Sequence, residues 1–193
     1  PDKQHFFLER THSQIVRLSD LIRDIALITK TEEASELFDK EQVNVHNTLQ
    51  EVINDLHSPI VAHGINVKNE INPQTVIEGN KTLVYAIFRN LIENSINYAG
   101  DHISIGVNNY MEDKEFYYFS YYDTGQGIEE NHLNRIFERF YRVCEGRSRQ
   151  NGGSGLGLSI VKNAVLFHKG DISAKNRKDG GLEFLFSLKK TLF

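Results

Sequence analysis

Three asparagines, Asn90, Asn94 and Asn97, fall at i, i+4 and i+7 of the stretch Lys81 to Tyr98, whose apolar positions are Val84, Ile87, Phe88, Leu91 and Ile92. On a helix those spacings align the three amides along one face. Asparagine has no special helix propensity. The row therefore reads either as a solvated face or as neutral oxygen ligands for Mg²⁺ and its phosphates, because Mg²⁺ takes hard oxygens and keeps several waters. A second group is Asp123-Thr-Gly125-Gln-Gly127, directly after the strand-like Phe116 to Tyr122. Glycine lets a ligand approach the backbone, and a carboxylate beside it can accept a hydrogen bond from an exocyclic amine such as that of adenine. The same residues also make an ordinary turn. A third is Gly152-Gly153-Ser154-Gly155-Leu156-Gly157-Leu158, which opens into the apolar stretch Leu158 to Phe167. A glycine loop feeding a helix N-terminus offers free N–H groups and the positive end of the helix dipole, which suits phosphate. The G-x-G-x-G spacing is neither a dinucleotide fingerprint nor a Walker loop. The plainer alternative is a flexible linker, and the helix that follows at once argues against it.

Between the two glycine groups, residues 135 to 149 hold Arg135, Arg139, Arg142, Arg147 and Arg149 against Glu138 and Glu145. In a chain of net charge −4 this is a local positive segment that could cover a triphosphate, or else a solvated basic loop. Phe137, Phe140 and Tyr141 are expected to anchor it in the core.

The elements that must position these groups can be read from periodicity. Strands are expected at Val43 to Val45, around Ile65 to Asn69, at Val76-Ile77, and over Ile103 to Tyr110 and Phe116 to Tyr122 as a hairpin. A last pair spans Asp171 to Ala174 and Leu182 to Leu188, joined at Asp179-Gly180-Gly181. Helices are expected at Thr48 to Ala62 (despite Pro59), Lys81 to Tyr98 and Leu156 to Phe167. This mixture predicts an α+β class, a two-layer sandwich with helices covering one face of a mixed, mostly antiparallel sheet. At the N-terminus, Leu8, Thr11, Ile15, Leu18, Ile22, Ile25 and Thr29 alternate steps of three and four, the seam of a helical bundle. Phe7, Leu21 and Ile28 widen the stripe, the plainer alternative being an ordinary core helix packed on the domain behind it. Thr29 to Gln42 reads as a polar linker.

Composition narrows the class. The 193 residues are 39% hydrophobic and 25% charged, enough for a core. A net charge of −4 makes the chain as a whole a poor candidate for nucleic-acid or anionic-membrane binding, and no nucleic-acid partner is expected. Cys144 is the single cysteine, so no internal disulfide forms. No apolar run approaches the ~20 residues that span a bilayer. The chain begins at Pro1 inside a helical pattern and reads as a piece of a longer protein.

In order and spacing the motifs resemble the GHKL ATPases, and within them the sensor histidine kinases. Asn90-Leu-Ile-Glu-Asn94-Ser-Ile-Asn97-Tyr98 is similar to the N box, and Asp123-Thr-Gly-Gln-Gly127 to the G1 box. Ile136-Phe137-Glu-Arg-Phe140-Tyr-Arg142 is similar to the F box, and Gly153-Ser-Gly155-Leu-Gly157-Leu-Ser to the G2 box. The likeness extends through His168-Lys-Gly170 and back to residue 1, where the helix resembles the second helix of the dimerisation and phosphotransfer domain. It implies a truncated dimerisation helix at 1–30, a linker at 31–42 and an ATP-binding catalytic domain of GHKL fold at 43–193. It implies ATP and Mg²⁺, with Asn94 as metal ligand, Asn90 as its phosphate-side neighbour and Asp123 on the adenine amine. Gly125 and Gly127 would line the base; Gly153, Gly155, Leu156 and Gly157 would hold the phosphates. Arg142 would reach toward the phosphates, with Asn97 and Tyr98 flanking the nucleotide. The γ-phosphate would pass to a histidine and then to a response regulator receiver domain. The full-length protein would dimerise through the bundle and be the cytoplasmic part of a membrane-bound sensor.

Three departures stand out. Asn97 replaces a common Lys, Thr124 a common Asn, and neither His5 nor His12 has the context of a phosphoacceptor, which is expected upstream of Pro1. Two rivals follow: a degenerate nucleotide-binding scaffold, and a gyrase- or chaperone-type ATPase. The latter would need a glutamate where Asn90 stands to activate water.

Overall fold

The computed structural model describes residues 2–34, 36, 38–143 and 154–191, without the side chains of residues 2–6, 13 and 17. The chain order is α1 (Asp2–Glu33), β1 (Glu41–Asn44), α2 (Val45–Asp55), α3 (His57–Ala62), β2 (Asn66–Glu70), β3 (Val76–Gly79), α4 (Lys81–Tyr98), β4 (Ser104–Glu112), β5 (Phe116–Asp123), α5 (Glu130–Leu133), α6 (Gly157–Phe167), β6 (Ile172–Asn176) and β7 (Leu182–Lys189). A five-stranded sheet runs β2-β4-β5-β7-β6, and β1 pairs with β3 in a small separate ribbon. Only β2 and β4 run parallel in the main sheet; its other pairs are antiparallel. The class is the α+β sandwich expected from the periodicity.

Alternation along β5 shows why the sheet is two-sided. Phe119 and Tyr121 point into the core, and Phe119 stacks on Phe186 of β7 at 5.2 Å between ring centres. Phe88 of α4 meets Phe186 edge-on at 6.1 Å, which joins helix layer to sheet. Each such fully buried large side chain contributes roughly 1.5–3 kcal/mol. On the outer face Ser120 donates to Glu183 and the Arg177 guanidinium lies 4.2 Å over the Tyr122 ring.

α4 starts where Asn80 caps it: the Asn80 side-chain oxygen accepts from the Leu83 N–H at 3.1 Å. It ends at Ala99, followed by Gly100 at φ +108. Its buried residues include Leu83, Val84, Ile87, Phe88, Leu91 and Ile92, so the asparagine row stands off the core side.

Four expectations change. The helix expected over Thr48 to Ala62 starts earlier, at Val45, and is broken at Leu56 into α2 and α3. Pro59 then sits in the first turn of α3, where its missing N–H leaves no hydrogen bond unmade. α1 continues to Glu33, into the stretch read as linker. The short α5 had no signal in the periodicity.

Phe140 does not anchor the arginine segment. It is 61% exposed with φ +61, while Phe137 and Tyr141 do pack on the core. Phe140 is committed through its backbone instead: its N–H donates to the Gly155 carbonyl at 2.8 Å.

The α1 stripe divides in two. Phe7, Leu8, Ile15, Val16, Leu18, Ile22 and Ile25 are exposed, whereas Ile28 is buried with Ala86, Leu156 and Ile160. The C-terminal end of α1 therefore rests on α4 and α6. No helix among the described residues is long and apolar enough to cross a membrane.

Candidate functional site

α4 forms the floor of the site, and two loops meet it at neighbouring turns. On one side the loop after β5 closes on Asp123, which is 2% exposed. Its Oδ1 accepts from the Gly125 N–H at 2.9 Å and the Leu182 N–H at 3.3 Å, and its Oδ2 lies 3.2 Å from the Ser95 hydroxyl. The Tyr121 hydroxyl donates to the Leu91 carbonyl at 2.9 Å and lies 2.9 Å from the Ser95 oxygen. Burial pushes the Tyr121 phenol well above its usual range, so it stays a neutral donor. Two glycines permit the closure. A Cβ on Gly125 would lie 2.5 Å from the Ala99 carbonyl oxygen, and one on Gly181 would lie 2.0 Å from the Asp123 carbonyl oxygen. Gly127 has φ +68, and the following Ile128 is held by Asn176 through both its N–H and its carbonyl.

On the other side α6 begins against α4. A Cβ on Gly157 would lie 2.8 Å from the Asn90 Oδ1. The Asn90 amide nitrogen donates back to the Ala86 carbonyl at 2.8 Å. Gly155 has φ +74 and packs against the Phe140 backbone. Leu156 is buried, and its N–H donates to the Ser154 hydroxyl oxygen at 3.2 Å. Asn94 lies one turn beyond Asn90 and next to Ser95, between the two walls. Its amide is half-buried and makes no hydrogen bond among the described residues.

The structure thus brings Asn90, Asn94, Asp123, Gly125, Gly155, Leu156 and Gly157 to one region. Gly127 belongs to the same loop as Asp123. Asn97 and Tyr98 sit exposed at the end of α4, where the Tyr98 carbonyl faces Gln126. Arg142 is half-buried just before the undescribed residues. Gly153, Arg147, Arg149 and Cys144 lie outside the described residues.

Two of the remaining arginines are not free to cover a ligand. Arg135 pairs with Glu138 at 3.3 Å and stacks over Tyr141 at 4.2 Å. Arg139 pairs with Glu32 of α1, which also accepts from Asn163 of α6 at 2.9 Å. These bonds pull the Glu32 carboxyl below its usual range.

Sequence reasoning weighed α1 as a helix packed on the domain but did not place it against the glycine loop and the arginine segment. Its Asp24 Oδ2 lies 3.4 Å from the Ser154 hydroxyl of the glycine loop. Burial raises both Asp24 and Glu93 above the ordinary carboxyl range. No local signal could reveal contacts across more than a hundred residues.

Residues 79–192 match the family of histidine kinase-, DNA gyrase B-, and HSP90-like ATPases, and the chain belongs to that family. It is 30% identical to the sensor histidine kinase WalK of Bacillus subtilis, over 94% of this chain and 30% of that protein. It is 29% identical to the phosphate regulon sensor protein PhoR of Pseudomonas aeruginosa, over 92% of this chain and 40% of that protein. The chain therefore spans less than half the length of these relatives. The solved catalytic domain of the histidine kinase ThkA superimposes with a TM-score of 0.70 at 25% identity, covering 80% of this chain and 97% of that one. ThkA in complex with the response regulator protein TrrA superimposes with the same score at 23% identity, over 90% of this chain and 48% of the other.

Proposed function

We propose that this chain is the nucleotide-binding catalytic part of a sensor histidine kinase, which positions Mg·ATP for transfer of its γ-phosphate to a histidine. The observation that carries the reading is the Asn94 amide, unengaged among the described residues, between a carboxylate wall and a glycine wall. Asp123 spends Oδ1 on the Gly125 and Leu182 N–H groups and keeps a lone pair on Oδ2, beside the Ser95 hydroxyl, for the adenine amine, with Gly125 and Gly127 lining the base. Asn94 supplies one hard oxygen toward Mg²⁺, the remainder coming from phosphates and water, which suits that ion. When bound, the metal neutralises phosphate charge. Gly155, Leu156 and Gly157 present backbone and the start of α6 to the phosphates, and Arg142, Asn97 and Tyr98 flank the nucleotide. Such transfer depends on positioning and charge neutralisation rather than on covalent help from the protein.

Asn90 argues against a gyrase- or chaperone-type hydrolase. Its nitrogen is committed to Ala86 and its side chain holds no basic oxygen for water. The acceptor belongs to a dimerisation helix; His12 is exposed on α1 in a context that does not match. The exposed stripe of α1 suits pairing with a second copy, residues 1–30 forming part of that bundle and 43–193 the catalytic domain. The solved complex of ThkA with the response regulator protein TrrA supports a response regulator as partner; its receiver domain would be the next phosphate acceptor, on the cytoplasmic side of a membrane-bound sensor.

Titration calorimetry with Mg·ATP tests the reading. Heat of binding is expected with the chain as it stands, and at least about tenfold weaker affinity with Asn94→Ala, a loss of ~1.4 kcal/mol. No heat with either protein would favour a degenerate scaffold.

A further inference from the structure

α4 and α6 pack antiparallel, and three contacts mark their register. Asn90 faces Gly157 at the start of α6, Ala86 shares a cluster with Ile160, and Asn80 at the start of α4 meets His168 at the end of α6. A Cβ at 157 would press on the Asn90 Oδ1, whose amide is held by its own bond to the Ala86 carbonyl. A slip by one residue moves α6 by about 1.5 Å and sets Leu156 or Leu158 against Asn90.

His168 is 3% exposed and uses both ring nitrogens. Nδ1 lies 2.7 Å from the Ala164 carbonyl and must donate, since that oxygen can only accept. Nε2 then carries the lone pair and accepts from the Asn80 N–H at 3.1 Å. Asn80 itself caps α4 and donates to the Asp39 carbonyl at 2.9 Å. The His168 carbonyl accepts from the Lys189 N–H of β7 at 3.1 Å. Gly79 leaves room for the ring: a Cβ there would lie 2.4 Å from Nε2.

We propose that His168 is a positioning residue for the nucleotide site: its neutral imidazole ties the end of α6 to the cap of α4 and so holds Gly157 opposite Asn90. Burial, helped by Lys40, pushes its pKa down to about 4, which keeps the ring neutral at ordinary pH. The other charged groups lining the adjoining cavity of about 240 Å³ are Lys169, Lys189, Lys190 and Glu78. The contact between the helices is independent of any ligand; its consequence for ATP rests on the function proposed above.

The test uses His168→Leu, His168→Gln and, as a packing control on the same helix, Val165→Ala. Two readouts are taken: the nuclear Overhauser contact between the Asn90 amide and Gly157 without nucleotide, and the affinity for Mg·ATP. His168→Leu is expected to lose the contact and to weaken affinity by about tenfold, the scale of one misplaced buried group. His168→Gln offers one donor and one acceptor and is expected to restore both. Val165→Ala is expected to lower Tm and leave both unchanged. An intact contact and unchanged affinity in folded His168→Leu would overturn the proposal. Loss of the contact in a protein whose unsubstituted form binds no nucleotide would leave the register role standing and remove the kinase reading instead. The unsubstituted protein gives a further check. Imidazole ¹⁵N spectra near neutral pH are expected to show the Nδ1–H tautomer, and an Nε2–H tautomer would overturn the proposal whatever the variants do.

Discussion

The two walls of the site are built differently. The base wall is assembled from the ends of β5 and β7 and one turn of α4: Asp123, Gly125, Gly181 and Ser95 close on one another with both carboxylate oxygens engaged. The phosphate wall is shared property. Its arginine segment is tied to Glu32, its glycine loop touches Asp24, and Leu156 packs on Ile28, all three partners belonging to α1. The carboxylate wall is thus closed within the sandwich, whereas the glycine wall depends on where the first helix lies.

The largest expected effect breaks the base wall. Gly181→Ala would force a Cβ to 2.0 Å from the Asp123 carbonyl oxygen at a residue with φ +91. A cost of at least about 3 kcal/mol is expected, read from the urea midpoint, together with loss of adenosine binding. Gly100→Ala sharpens the point. It has φ +108 but nothing within 4 Å of its Cβ, so only the strain of about 1–2 kcal/mol should appear. Equal losses at the two positions would mean that backbone strain, not the closed loop, decides.

The same contrast explains what could be read without coordinates. The Asp123 loop and α4 are local: Asp-x-Gly-x-Gly after a strand, and a helix from Lys81 to Tyr98 with Asn90, Asn94 and Asn97 in line, are set by spacing and turn chemistry. The α1 contacts are not local. Ile28 looks like any other member of the bundle stripe, and only tertiary packing separates it from the exposed Ile22 and Ile25. Arg139 reads as free positive charge until Glu32, 107 residues earlier, is found against it. Phe140 misleads for a related reason: its hydrophobicity suggests an anchor, yet the backbone bond to Gly155 is what holds it.

A smaller effect is expected on the phosphate side. Glu32→Gln removes the charge that holds Arg139 and weakens the bond from Asn163. Both partners of the ion pair are about half exposed, so the stability loss should stay at or below about 1 kcal/mol. Release of Arg139 toward the triphosphate is expected to raise Mg·ATP affinity at low salt, with the gain fading as ionic strength rises. Weaker binding in Glu32→Gln would show that α1 supports the phosphate wall rather than restraining it.

The smallest effect is a pH dependence of α1 docking. Burial raises the Asp24 carboxyl above its ordinary value, with Asp20 adding to the rise and the Ser154 hydrogen bond, Arg23 and Arg89 opposing it. An acid whose pKa is higher in the docked state binds its proton more tightly there, so ionisation at neutral pH works against docking. As pH falls from neutral toward the carboxylate range, docking should strengthen, and the gain should level off once the undocked acid is also protonated. Asp24 is only half-buried, which keeps the effect small. Glu93 is raised by burial in the same sense, so Asp24→Asn should reduce the dependence without abolishing it. Amide exchange around Ile28, followed with pH, is the measurement, after correction for the intrinsic rate. Protection that weakens on acidification would mean that the charged carboxylate, through Ser154, is what holds the helix on the glycine loop.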